Sequence, residues 1–116
     1  MVAINFSPQF AGPVEGGEKR QTIRQKARCK PGDALQLYTG MRTKGCRKLR
    51  DAICSEVMPV SITRGTLEVD GCVLMSGTAA AFARADGFRD YDEMWNWFFG
   101  RYKEHKFSGY VIRWAT

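Results

Sequence analysis

Tyr91, Met94, Trp95, Phe98, Phe99 and Tyr102 fall at positions i, i+3, i+4, i+7, i+8 and i+11. On a helix that spacing makes one wide apolar stripe, and such a stripe has to be covered by another layer of structure. Helical spacing accounts for all six, so they read as core rather than as a cofactor box. Asp90 supplies the N-cap, and Glu93 three residues on completes a capping-box-like pair. An alanine-rich helix over residues 78–85 precedes it and ends at Gly87.

Most of the chain before these helices reads as short strands. Residues 67–69 and 72–74 flank Asp70-Gly71, a turn pair that tolerates positive φ, so they form a hairpin. Residues 3–6 alternate enough for a first strand, and Pro8 and Gly12-Pro13 then limit regular structure. Residues 21–24 are β-branched at Thr22 and Ile23, which favours a strand. Lys30-Pro31-Gly32-Asp33 places Pro and Gly as a type II turn requires. A strand over 34–39 follows, with Leu35 and Leu37 on one face. Residues 40–45 form a loop. Residues 52–63 are mostly apolar, and Pro59 there marks a bulge or a sheet edge. The closing strand, 109–116, sets Tyr110, Ile112 and Trp114 on one face and Val111 and Arg113 on the other. This order describes a single α+β domain over residues 1–116. A small β-barrel of about five to six strands, with two to three helices packed on it, satisfies the pattern.

A chain of 116 residues buries about two thirds of its unfolded surface, and 44% hydrophobic residues suffice for a core without staples. No apolar run approaches the roughly 20 residues of a membrane span. No charged leader precedes an apolar stretch, so no secretory signal is expected. Cysteines stand at 29, 46, 54 and 72 without a C-x-x-C pair. They read as reduced thiols of a cytoplasmic protein, with no metal and no cofactor expected. His105 is the only histidine, which leaves no Ser-His-Asp or Cys-His set. No P-loop, dinucleotide fingerprint or EF-hand loop occurs.

Charge is unevenly spread. Between Lys19 and Arg50 there are eleven Lys or Arg and one acid, Asp33. The remaining residues carry seven basic and eleven acidic groups. A basic third of a small domain points to a polyanion, nucleic acid first, or else to a basic surface kept for solubility. Arg42, Lys44, Arg47, Lys48 and Arg50, on the 40–45 loop or just beyond it, would suit phosphate contacts.

Gly16-Gly17 precedes the most crowded chemistry. Lys19, Thr22 and Arg24 place an amine, a hydroxyl and a guanidinium within six residues. On a strand Thr22 and Arg24 share a side and Ile23 turns to the core. A threonine hydroxyl needs a base to become a nucleophile, and a lysine serves only when burial or nearby cations lower its pKa. Arg24 on the Thr22 side suits an oxyanion or a phosphate. The plainer reading is a hairpin edge with solvated basic side chains.

The string Gly17-Glu18-Lys19-Arg20-Gln21-Thr22-Ile23-Arg24, followed by Lys30-Pro31-Gly32-Asp33-Ala34-Leu35, resembles the start of the ASCH domain family. Ala83-Arg84-Ala85-Asp86-Gly87-Phe88 and the closing Phe107-Ser108-Gly109-Tyr110-Val111-Ile112-Arg113-Trp114 extend the resemblance over nearly the whole chain. It implies a PUA-like barrel with a nucleoside or RNA-base pocket, in which the first strand is followed by a short helix leading to the Gly turn; a monomer is expected. Some ASCH proteins remove the acyl group of N4-acetylcytidine with a Lys, a Thr and a Glu. By motif these correspond to Lys19, Thr22 and Asp86, the last an aspartate one methylene shorter. Phe6, Gln21 and Arg24 are then expected to bind substrate. The acid has a simpler reading, as a surface group at a helix end or a partner of Arg84 or Arg89. Phe6 and Phe10 read as core before they read as stacking groups, although an aromatic near a nucleoside pocket can stack on a base. The competing expectation is a non-catalytic RNA-binding module. RNA cleavage comes third, for want of a general base.

Overall fold

The computed structural model describes residues 2–115. The first strand, β1 (Val2–Phe6), runs into helix α1 (Pro8–Gly16). The short helix that the resemblance implies for this stretch is therefore present, where the prolines by themselves were expected to limit regular structure. Pro8 occupies the first turn, where its missing N–H is no loss, and the helix also passes through Pro13. Gly17, at φ 87°, ends it in the left-handed conformation. The Lys19 amide then donates to the Pro13 carbonyl at 3.0 Å, which delivers the chain into β2 (Gln21–Arg24).

Strand β3 (Ala34–Thr39) follows the expected turn, in which Gly32 has φ 95°. The next strand, β4, is Arg47–Thr63 and starts five residues before its apolar stretch. Pairing with β3 explains that start, because Arg47, Lys48 and Arg50 stand opposite Thr39, Tyr38 and Leu37. A bulge lies between Cys54 and Glu56. Pro59 carries no bulge: its carbonyl accepts from Asp70 N at 2.8 Å. The missing N–H therefore faces the point where the neighbouring strand is already turning. That neighbour, β5 (Leu67–Val69), joins β6 (Cys72–Leu74) through Asp70 and Gly71, both at positive φ.

Two further helices, α2 (Ser76–Ala85) and α3 (Tyr91–Tyr102), precede the last strand, β7 (Lys106–Ala115). Asp90 Oδ1 accepts from Glu93 N at 2.8 Å, while Glu93 Oε1 reaches one residue beyond the cap to Arg89 N. Met94, Trp95 and Phe98 of the stripe are buried, each stabilising the fold by about 1.5–3 kcal/mol. Phe99, at the edge of the stripe, is exposed. Along β7 the side chains alternate as expected, but burial does not follow one face. Val111 and Ile112, on opposite faces, are both buried, whereas Tyr110 is exposed, because both sides of this strand are covered near its middle.

The seven strands form one mixed sheet. β1 and β3 are parallel, and every other pairing is antiparallel. β4 is its spine: Ile53 faces Ala34 of β3 on one side and Ala115 of β7 on the other. The order β2-β7-β4-β3-β1 leaves β1 and β2 as outer strands that do not pair with each other among the described residues. The expected closed barrel is therefore an open sheet with a seam. Arg24 Nη2 donates to the Asn5 carbonyl at 2.7 Å across that seam, so a side chain stands where a backbone ladder would close it. No described helix is long and apolar enough to cross a membrane.

Candidate active site

Lys19 lies in the link between α1 and β2, held by the Gly17 turn and the Lys19–Pro13 backbone bond. Asp86 is the C-cap of α2, more than sixty residues away. The two meet in the interior, with Lys19 Nζ 3.4 Å from Asp86 Oδ1 and also donating to the Asp86 backbone carbonyl. Gly87 permits this approach. Its φ of 98° is left-handed, and a Cβ there would stand 3.0 Å from the Phe10 ring and 3.4 Å from Lys19 Cδ.

Lys19, Thr22 and Asp86 are all buried. Burial lowers the Lys19 pKa; the Asp86 carboxylate opposes that shift and Arg24 adds to it. Burial likewise raises the Asp86 carboxyl, against the pull of Lys19 and Gln21. In each case burial works against the charged form. Arg24 Nε donates to Thr22 Oγ1 at 3.1 Å. The hydroxyl keeps its own proton available, and a cation stands ready beside any developing alkoxide.

These groups surround one cavity of about 130 Å³, walled by Phe6, Phe10, Phe88 and Trp97. Its volume is well under the ~300 Å³ at which sites for whole drug-sized ligands begin. It admits a single ring with a small substituent. Lys19 Nζ lies 4.8 Å from the Phe10 ring centre, and Arg24 Cζ lies 5.1 Å from that of Phe6. Among the described residues Asp86 is the only carboxylate on the wall, against the cations Lys19, Arg24 and Arg101.

The structure thus brings Lys19, Thr22, Asp86, Phe6 and Arg24 together. Gln21, expected to touch substrate, instead sits behind the acid. Its Nε2 donates to Asp86 Oδ1 at 3.3 Å, and its Oε1 accepts from Arg113 Nε at 3.3 Å. Asp86 pairs with neither Arg84 nor Arg89; Arg89 bonds to Asp90. The basic cluster lies elsewhere, since none of Arg42, Lys44, Arg47, Lys48 and Arg50 lines the cavity. Arg47 is paired with Glu15 and Lys48 with Asp51, each at 2.7 Å.

Sequence reasoning missed the α3 wall. Trp97 and Arg101 lie off the apolar stripe, with Arg101 Cζ 5.2 Å over the Trp97 ring. A large aromatic that the helical stripe does not explain was the available signal. Among the described residues no three His, Cys, Asp or Glu side chains gather as metal ligands. The chain matches no protein-family model, no curated protein and no solved structure.

Proposed function

We propose that this chain is an ASCH-type, PUA-like domain that hydrolyses the exocyclic acyl amide of an N4-acylated cytidine. One observation carries the reading: a buried amine, a threonine hydroxyl and a buried carboxylate surround a single ring-sized cavity. The sequence resemblance supplies the reaction class, and the cavity supplies the means.

In this reading neutral Lys19 takes the Thr22 proton as Oγ1 bonds to the acyl carbon. Arg24, already hydrogen-bonded to Oγ1, stabilises the charge that develops. The C–N bond breaks as the Lys19 ammonium returns its proton to the departing cytosine nitrogen. Water then attacks the threonine ester, Lys19 removes a water proton, and that proton restores the Thr22 hydroxyl. The balance is amide plus water to amine plus carboxylic acid. Asp86 holds the amine in place through Oδ1 and its backbone carbonyl. The aromatic wall excludes water and stacks on the base.

Incubation with N4-acetylcytidine, and separately with RNA acetylated on cytidine, tests the reading by release of the deacylated product. Thr22→Ala and Lys19→Met should each lower turnover by about 100-fold or more. A wild-type protein that binds RNA yet releases no product from either substrate would make it a binding module.

A further inference from the structure

We infer that the ligand of this site carries a phosphate, held in a second cleft along the open seam by Lys26 and Arg28. The inference rests on the reading that the first cavity receives a nucleobase. A cavity of about 170 Å³ lies along β1 and the chain leaving β2, lined in part by Asn5, Arg24, Lys26, Arg28 and Ile112. Asn5 and Arg24 also line the first cavity. Their 2.7 Å hydrogen bond is therefore the partition between two compartments of one seam.

The two compartments differ in chemistry. The first is aromatic and contains a carboxylate. Among the described residues the second has no carboxylate on its wall and three cationic side chains, at positions 24, 26 and 28. Lys26 and Arg28 are exposed, and neither enters an ion pair among the described residues. Arg47 and Lys48 of the 42–50 cluster, by contrast, are already paired with carboxylates. Free guanidinium and ammonium groups form charge-assisted hydrogen bonds to an acceptor-only anion. A base seated in the first compartment leaves its sugar at the partition. The adjoining phosphate then falls on the cationic side. Either a mononucleotide or an RNA strand supplies such a group.

Calorimetric titration of the wild-type protein with cytidine, cytidine 3′- and 5′-monophosphate, and a cytidine-centred RNA trinucleotide decides the matter. At least one monophosphate or the trinucleotide should bind about tenfold or more tighter than cytidine. Lys26→Ala with Arg28→Ala should bring that ratio close to one. Both residues are exposed, so the core is untouched. A trinucleotide that binds tighter than both monophosphates, with a steeper salt dependence, identifies a strand; equal binding identifies a mononucleotide. A wild-type ratio near one, or a ratio unchanged in the double variant, overturns the inference. Phosphate preference without deacylation removes only the hydrolase reading, and deacylation without phosphate preference removes only this one. Failure of all four ligands to bind overturns both.

Discussion

Asp86 Oδ1 lies 3.4 Å from Lys19 Nζ, with both side chains at least 95% buried beside a cavity walled in part by aromatic rings. Desolvating two charges costs more than their attraction returns unless hydrogen bonds satisfy the remaining lone pairs. Gln21 and the Asp86 backbone carbonyl provide those bonds. A buried pair of this kind in a cleft is the sort of group that the proposed hydrolysis would use.

Asp86→Asn should therefore reduce deacylation of N4-acetylcytidine by about 100-fold. Asp86→Glu should also be poor. Its extra methylene enters a space already closed by Lys19 and Gln21, and overpacking costs about 1–3 kcal/mol. Steady-state rates for the two variants and wild type check this. Equal rates in wild type and Asp86→Asn would remove Asp86 from the mechanism.

The pair should also shape stability against pH, with unusual signs. A carboxyl whose folded pKa is raised binds more protons folded than unfolded, so its cost appears as pH rises above 3.8. An amine whose folded pKa is lowered binds fewer protons folded, so its cost is relieved as pH approaches 10.5. Lys19→Met with Asp86→Asn removes both titrations. The double variant's gain over wild type should grow as pH rises from about 4 and shrink again towards the ordinary lysine range. Urea midpoints across pH measure it, and a pH-independent difference would contradict the assigned shifts.

Gly87→Ala tests the turn that brings acid to amine. A left-handed φ and a Cβ only 3.0 Å from Phe10 together predict a loss of more than about 1 kcal/mol. Turnover should fall as well, because relief of the clash moves Phe10 or Lys19. Thermal unfolding and initial rates read the two effects. A variant as stable as wild type would show that the turn has room to relax.

Trp97→Ala should weaken ligand binding by about 1–3 kcal/mol, the usual worth of one base–aromatic stack. Trp97 is half-buried on the α3 wall, so a change in affinity larger than any change in melting behaviour is expected. Fluorescence quenching of wild-type Trp97 by ligand offers a second check. Unaltered affinity would place the base elsewhere in the cavity.

Local chemistry made much of this molecule legible from its residues. Asp70-Gly71 needs positive φ and received it, Asp90 capped α3, and the Pro31-Gly32 turn led into β3 at Ala34. These features depend on neighbours a few residues apart, where sterics and hydrogen bonding act without the rest of the fold. The start of β4 was not legible, because Arg47 and Lys48 are strand residues only by pairing with β3. Helix α1 was expected only through the family resemblance, since Pro8 and Pro13 read locally as limits on regular structure; Pro8 suits a first turn, and the helix continues through Pro13 despite the lost hydrogen bond.

The residues at 19, 22 and 24 were visible as a cluster, since a strand puts alternate side chains together. Tertiary structure alone decided that Gln21 would lie behind the acid and that Trp97 would form a cavity wall. It also left β1 and β2 without a ladder between them, so that Arg24 spans an open seam. Whether a sheet closes depends on the stagger and tilt of all its strands at once. Which polar groups are buried together depends on surfaces that meet only after the helices dock. The sequence by itself determined the elements and the chemical groups they carry. Packing determined which of those groups lost their water, and with it their ordinary proton affinities.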